Sequence, residues 1–291
     1  MISGVVLAWR NLRSGRGDRV GGKRLAAYVG VIGIVILSSF CHFPREPVDV
    51  YAIVITMGLS QVLFEVARTW VWYMALEPFV RSVWPQILIS SSRLLEGRFH
   101  DPLVGRDILA GAVFGVLVTI LLQLKLVVHS LFEESVQYDS VFSSKLMVGI
   151  RELIGTAALA HGLAFFLAFF IMMILLMNRI VFRSERGALI GALVCLTPFI
   201  AITIRGNIAI AIPVALIMSA TALFLLVRFG MLALLTFFTC RMLMVFFPVT
   251  FDTSKWYFAD GFAAPLLVAI LAGLGCYLAT AGRSTGLSAA A

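Results

Sequence analysis

The 291-residue chain is 61% hydrophobic and only 13% charged, and its mean hydropathy is +1.01, whereas about 25% of the residues of an average soluble domain are charged. This composition excludes a soluble globular protein and predicts an integral membrane protein. The net charge of +8 is typical of the Lys and Arg excess in cytoplasmic loops, so we expect membrane lipids as partners and no nucleic acid.

Apolar runs long enough to cross a bilayer core of about 30 Å recur along the whole chain. They predict an all-α, polytopic bundle of about eight transmembrane helices. The predicted spans are residues 24–43, 50–76, 107–129, 155–182, 188–204, 208–227, 229–248 and 262–280. They form one membrane domain, 24–282, between a basic N-terminal arm, 1–23, and a short tail, 283–291. A helix broken at Pro198 or Pro213 is the alternative to a hairpin at 205–207, which is simpler.

The basic residues divide unequally between the two sides of these spans. One side carries 15 of the 23 Lys and Arg residues, the other carries 5, and Arg68, Lys125 and Arg241 fall within spans. Because Lys and Arg of short loops favour the cytoplasm, we predict a multi-pass protein of the cytoplasmic membrane with both termini inside the cell.

The most polar stretch of the chain follows the second predicted span. Residues 84–99, WPQILISSSRLLEGRF, place apolar and polar side chains on opposite faces at helical spacing, which predicts an amphipathic helix too short to cross the membrane. We expect it in the cytoplasmic headgroup layer, with Trp84, Arg93 and Arg98 at the membrane interface. Asp107 is expected to cap the helix that follows.

Two loops are predicted on the outer side. Residues 130–154 are acidic, and their second part is expected to form a short interfacial helix leading into the next span. The stretch FDTSKWYFAD, 251–260, carries Trp256 and Tyr257, which suit the aromatic belt at a membrane interface.

The chain carries no motif that predicts catalysis. The Gly-rich stretch SGRGDRVGG, 14–22, matches neither nucleotide-binding pattern, and the kinase, metalloprotease and serine hydrolase motifs are missing. The four cysteines, at positions 41, 195, 240 and 276, lie in or beside apolar runs without metal-ligand spacing. We therefore expect no cofactor and no metal, and an enzyme is disfavoured.

Polar residues on the second predicted span are the candidates for a ligand site. Gln61, Glu65 and Arg68 share one helix face, and ionisable groups at membrane depth are functional candidates. Arg241 of the seventh span or Lys125 of the third are possible partners. The alternative is a buried structural pair of Glu65 and Arg68. Of the histidines, only His161 is expected inside a span.

Three distinctive stretches occur in order along the chain: RNLRSGRGDRVGG (10–22), ALEPFVRSVWPQILISSSRLLEGRFHDPLVGRDIL (75–109), and RFGMLALL with FPVTFDTSKWY (228–257). Together they resemble the multi-span membrane region found C-terminal to the kinase domain in a group of bacterial serine/threonine protein kinases. The resemblance implies a membrane part without enzymatic activity that follows a cytoplasmic kinase domain and a preceding membrane helix. That kinase domain is absent here, and MISGVVLAW corresponds to a stub of the preceding helix.

Two main functions are consistent with these features. The first is a non-catalytic membrane module that anchors, and in a sensory role regulates, a serine/threonine kinase or another cytoplasmic signalling protein. The alternative is a small-molecule transporter or receptor with a polar site around Glu65, Arg68 and Arg241. An intramembrane enzyme is a third and weaker hypothesis, because nucleophile and metal motifs are missing.

Overall fold

The computed structural model describes residues 2–40, 48, 52–131, 149–204 and 207–288, and this part of the chain is helical without strands. The α-helices are α1 (Ile2–Arg13), α2 (Arg19–Phe40), α3 (Ser60–Val83), α4 (Ile89–Leu95), α5 (Pro102–Leu131), α6 (Ile150–Phe182), α7 (Glu185–Thr203), α8 (Ile208–Arg228), α9 (Met231–Phe246) and α10 (Phe258–Ser288). A π-helix, Ala52–Leu59, leads into α3, and a 3₁₀ turn, Pro85–Leu88, leads into α4.

Six of these helices are long and apolar enough to cross a membrane: α2, α6, α7, α8 and the segments Pro102–Leu124 of α5 and Phe258–Thr280 of α10. Large apolar side chains on them face outwards, for example Ile202 of α7 at 86% exposure. The chain is thus an all-helical protein with the character of a multi-pass membrane protein.

The two remaining predicted spans, 50–76 and 229–248, correspond to α3 and α9, and neither meets the length and hydropathy that a span requires. Helix α3 carries four charged side chains between Glu65 and Arg81. Helix α9 has 16 residues, which at about 1.5 Å per residue reach only about 24 Å. The count of eight spans is therefore not confirmed.

Helix α9 occupies the middle of the bundle, which explains how a short helix fits there. Eleven of its 16 residues are buried, and it packs chiefly against α5 and α6. Its contact with α5 is close because Gly111 and Gly115 of α5 face it. A Cβ on Gly111 would overlap the Ala233 carbonyl oxygen, and one on Gly115 would lie 2.9 Å from the Phe237 carbonyl oxygen. Small residues four apart allow such approach.

The start of α5 differs from the prediction. The helix begins at Pro102 rather than at residue 107, because Asp101 accepts the backbone N–H of Leu103 at 2.9 Å and proline is favoured in a first helical turn. The expected cap, Asp107, instead lies within the helix and is fully buried.

The predicted amphipathic helix at 84–99 is not continuous. Trp84 separates α3 from the 3₁₀ turn, and the α-helical part is limited to Ile89–Leu95. Trp84 is only 4% exposed and belongs to the main hydrophobic core with Ile87 and Leu88. The Trp84 side chain thus meets protein, which alternation of apolar and polar residues cannot distinguish from a side chain that meets lipid. Its expected position at the membrane interface stays a prediction.

Other boundaries follow local capping. Helix α7 ends at Thr203 and α8 begins at Ile208, where the Asn207 side chain accepts the N–H of Ala209. Two helices on either side of this point correspond to the predicted hairpin rather than to a broken helix, although residues 205 and 206 lie outside the described part. Most of the predicted outer loop, residues 132–148, also lies outside it.

The N-terminal arm is helical. Helix α1 covers Ile2–Arg13, and α2 begins at Arg19 within the segment expected to be a basic arm. Ala8 and Asn11 are buried, because α1 packs along α3. At the other end of the chain, α10 continues through the predicted tail to Ser288.

Candidate functional site

A cavity of about 630 Å³ lies between α2, α3 and α6. Its walls are mostly apolar, and Gln61, Glu65 and Arg68 of α3 line it together. The volume falls in the range of roughly 300–1,000 Å³ that is usual for small-molecule sites. Three of the sequence-predicted site residues therefore share one cavity.

The three polar side chains form a chain of contacts along α3. The Gln61 side-chain amide donates to Glu65 Oε1 at 3.2 Å, and Arg68 Nη2 donates to Glu65 Oε2. One carboxylate thus holds both neighbours, and the cationic and anionic charges balance each other. The pair is partly exposed towards the cavity, with 18% exposure for the Arg68 side chain and 27% for that of Glu65.

Aromatic rings surround the Arg68 guanidinium. Its central carbon lies 4.9 Å from the ring centre of Phe166 on α6, 5.1 Å from that of Trp72 and 5.8 Å from that of Phe64. Such contacts within about 6 Å are attractive. Arg68 Nε is buried and has no hydrogen-bond acceptor among the described residues.

Arg241 lines a different cavity. This second space, of about 440 Å³, lies between α5, α6, α7, α8 and α9. Helix α6 contributes to both cavities, with Phe166 in the first and Phe170 in the second. The structure thus separates Arg241 from Glu65 and Arg68. The side chain of Lys125 lies outside the described part.

A histidine in the middle of the bundle connects three helices. Tyr28 Oη of α2 lies 2.5 Å from His161 Nε2 of α6, and His161 Nδ1 lies 2.9 Å from Thr239 Oγ1 of α9. The Thr239 hydroxyl donates to the Leu235 carbonyl, so it accepts from Nδ1–H and leaves Nε2 to accept from Tyr28. Sequence reasoning did not select His161 as a site residue, although an ionisable side chain inside a span was the available signal.

Helix α3 also holds α1 in place. Pro78 has no N–H, so the Met74 carbonyl loses its helical donor. The Asn11 side chain of α1 fills this position, donating to Met74 O at 3.0 Å and to Ala75 O at 3.2 Å. Because an unpaired carbonyl in a membrane protein must find a partner inside the protein, this pairing explains why α1 packs at this point.

A buried carboxylate, that of Glu77, lies at the same end of α3. Glu77 is 3% exposed; its Oε1 lies 2.6 Å from Arg81 Nε, and its Oε2 accepts the N–H of Asp18 at 3.4 Å. Tyr73 Oη donates to the Asp18 carboxylate at 3.4 Å. These contacts connect the loop between α1 and α2 to α3.

The polar stretch after α3 forms its own set of polar contacts. Ser90 donates to Asp107, and Arg106 donates to the same carboxylate at 2.9 and 3.0 Å. Arg93 pairs with Asp101 at 2.6 Å. Most charges here have a protein partner, and this includes Arg93, which was expected at the membrane interface.

These contacts define one end of the bundle, which we call the α1 end: α1, the start of α2, residues 77–107 and the junction of α8 and α9. Arg24 Nη1 donates to the Leu95 carbonyl at 3.0 Å. A Cβ on Gly230, which has a positive φ of 103°, would lie 2.7 Å from the Ile87 carbonyl oxygen. The basic residues assigned to one side by sequence thus include several that gather at the α1 end.

Of the remaining predicted interface residues, Arg98 and Trp256 are exposed and Tyr257 is half-buried. The Arg98 side chain is 68% exposed and lies 3.5 Å from Glu96. Trp256 is 74% exposed and makes an edge-to-face contact with Tyr257 at 5.6 Å between ring centres. Both sites leave a side chain available to lipid.

The described ranges contain no cluster of metal-ligating side chains. No group of three His, Cys, Asp or Glu side chains there is placed to hold a metal ion. Cys240 is buried, Cys195 and Cys276 are exposed, and Cys41 lies outside the described residues.

Comparison of the chain with protein-family models, with curated proteins and with solved structures finds no match in any of the three. The resemblance to kinase-linked membrane regions therefore stays a prediction that rests on the three quoted sequence stretches.

Proposed function

We propose that this chain is a non-catalytic sensory module of the cell membrane. It binds a small apolar molecule in the cavity between α2, α3 and α6, and it changes the contacts of the α1 end when that cavity is occupied. The partner at the α1 end is a serine/threonine kinase or another cytoplasmic signalling protein, as the resemblance implies.

The observation that carries the proposal is that α3 both lines the cavity and holds α1. Gln61, Glu65 and Arg68 line the cavity, and Met74 and Ala75 further along α3 hold Asn11 of α1. Six residues separate Arg68 from Met74, which at about 1.5 Å per residue is about 9 Å along the axis. A small rotation or shift of α3 on ligand binding would therefore alter the support of α1.

A cytoplasmic α1 end is part of the proposal. Arg24, Arg93 and Arg106 gather there, and Lys and Arg favour the cytoplasmic side of a membrane. In this arrangement both termini are inside the cell, α3 and α9 cross the bilayer within the bundle, and eight helices span it. Trp256 and Tyr257 then anchor the opposite interface.

A receptor is favoured over a transporter by the separation of the charged residues. Glu65 and Arg68 line one cavity and Arg241 lines another, with α6 between them. A transport site made of all three residues would need the two cavities to be continuous, whereas a receptor needs only the first cavity.

Affinity capture of the full chain in mild detergent tests the partner. We expect mass spectrometry to recover a serine/threonine kinase with the wild type and to recover less with Asn11→Leu, which removes the contact that holds α1 to α3. Gly162→Leu should change the recovered amount by filling the cavity, since a Cβ there makes ordinary contacts of 3.7 Å with Ile32 and Ile36.

Gly273→Leu is the matched control, because no atom lies within 4 Å of a Cβ at that position. Repeated recovery of lipids alone would contradict the signalling role. A kinase domain encoded by the neighbouring gene would support the signalling role.

A further inference from the structure

The charges that line the α2–α3–α6 cavity define the ligand that it can accept. Among the described lining residues, Glu65 and Arg68 are the charged ones, and they pair with each other. The cavity therefore carries no net charge from its described walls. An anionic ligand would meet the Glu65 carboxylate, and a cationic ligand would meet the Arg68 guanidinium, so either would be desolvated without a free counter-charge.

The hydrogen bonds of the pair leave several guanidinium N–H groups for a ligand, because only Nη2 of Arg68 donates to Glu65. Glu65 Oε1 already accepts from Gln61, and Oε2 accepts from Arg68 Nη2. The Arg68 side chain is 18% exposed and lines the cavity, so its guanidinium can donate to an acceptor atom that enters. Such a hydrogen bond from a charged group contributes favourably to binding. A saturated hydrocarbon would make no such bond.

We propose that the cavity binds an uncharged, largely apolar molecule that carries a carbonyl oxygen, and that the Arg68 guanidinium donates to this oxygen. The apolar body of the ligand packs against Phe165, Phe166 and the aliphatic side chains of α2. This ligand class rests on the proposed sensory function. An acyl ester of a lipid and a quinone with an apolar tail share this chemistry, and both are possible sources.

Binding of matched twelve-carbon probes to the purified full chain tests the ligand class. The probes are methyl laurate, laurate at pH 8 and dodecane, measured in dodecyl maltoside, a detergent that has no carbonyl group. We expect methyl laurate to bind about tenfold more tightly than dodecane, which is the effect of about one net hydrogen bond, and also more tightly than laurate.

Two variants change this order in opposite ways. Glu65→Gln removes the anion and leaves Arg68 as an uncompensated cation, so laurate should now bind more tightly than methyl laurate. The double variant Glu65→Leu with Arg68→Met removes both charges and the Arg68 donor, so the preference for methyl laurate over dodecane should fall. The order of the three probes on the wild type remains a test by itself if a variant does not fold.

Two results would overturn the ligand class and leave the cavity as a binding site. One is tighter binding of laurate than of methyl laurate to the wild type. The other is a folded Glu65→Gln variant that binds the three probes in the same order of affinity as the wild type. Full binding of every probe to Gly162→Leu, as to the Gly273→Leu control, would place binding elsewhere and overturn the proposed function itself. Decylbenzoquinone in a fourth arm separates the sources: tighter binding than methyl laurate supports a quinone, and weaker binding supports a lipid ester.

Discussion

The contact between Asn11 and the carbonyl released by Pro78 gives a sharp test of how α1 is held. We predict that Asn11→Leu destabilises the wild type but costs much less in a Pro78→Ala background. In that background a new N–H at position 78 can donate to the Met74 carbonyl, as in an uninterrupted helix. The carbonyl then no longer needs the Asn11 side chain.

The expected magnitude follows from the geometry. Asn11 is 6% exposed, and its amide lies 3.0 Å from Met74 O and 3.2 Å from Ala75 O. Leaving a buried carbonyl without a donor costs about 1–3 kcal/mol. The Ala75 carbonyl keeps the helical donor of Phe79, so most of this cost belongs to Met74. We expect an interaction energy of about 1 kcal/mol or more between the two substitutions.

A double-mutant cycle by equilibrium unfolding in detergent micelles measures this energy. Asn178→Leu is the control, because the Asn178 amide donates to the Ile174 carbonyl on its own helix at 2.9 Å and shares no partner with Pro78. Costs of Asn11→Leu and Pro78→Ala that add to within about 0.5 kcal/mol would refute the shared carbonyl as the reason for docking.

Two further predictions concern the centre of the bundle, and thermal unfolding of the purified protein checks both. Gly111→Ala should lower the free energy of unfolding by about 1–3 kcal/mol, because its Cβ would overlap backbone atoms of α9. The same change at Gly273, where the space is open, should raise the free energy of unfolding by up to about 1 kcal/mol. Equal effects of the two substitutions would exclude close packing of α5 on α9. Thr239→Val should lower the free energy of unfolding by about 1–3 kcal/mol, since it leaves the Nδ1–H of His161 without its acceptor. The control Thr221→Val removes only an exposed hydrogen bond within its own helix and should change the free energy of unfolding by no more than about 0.5 kcal/mol. A cost for Thr239→Val no larger than that of the control would contradict the connection of three helices through His161.

Much of the candidate site was accessible from sequence spacing. Residues four and three apart on a helix share a face, so the grouping of Gln61, Glu65 and Arg68 follows from local geometry alone. The inclusion of Arg241 did not follow from any local rule. Whether two helices present charged residues to the same space depends on which helices lie between them, and α6 stands between the two cavities.

The role of Trp84 shows the same limit. A short segment with apolar and polar faces has the same pattern whether its apolar face meets lipid or protein. The contacts of residues 84–88 with α8 and α9 decided in favour of protein, because the α8–α9 junction approaches the Ile87 carbonyl closely. The sequence could identify the face but not its neighbour.

Helical structure and the character of a membrane protein follow from the amino-acid sequence alone, because hydropathy and helical periodicity are properties of short segments. The positions of most long helices and the unequal distribution of basic residues follow from it as well. Three features are visible only once the helices are packed: α9 is enclosed by its neighbours, Asn11 supplies the donor that Pro78 lacks, and the Arg68 side chain lines a cavity beside Phe166. Each of these depends on backbone and side-chain atoms distant in the chain, whose meeting is set by how the helices pack and not by the residues beside them.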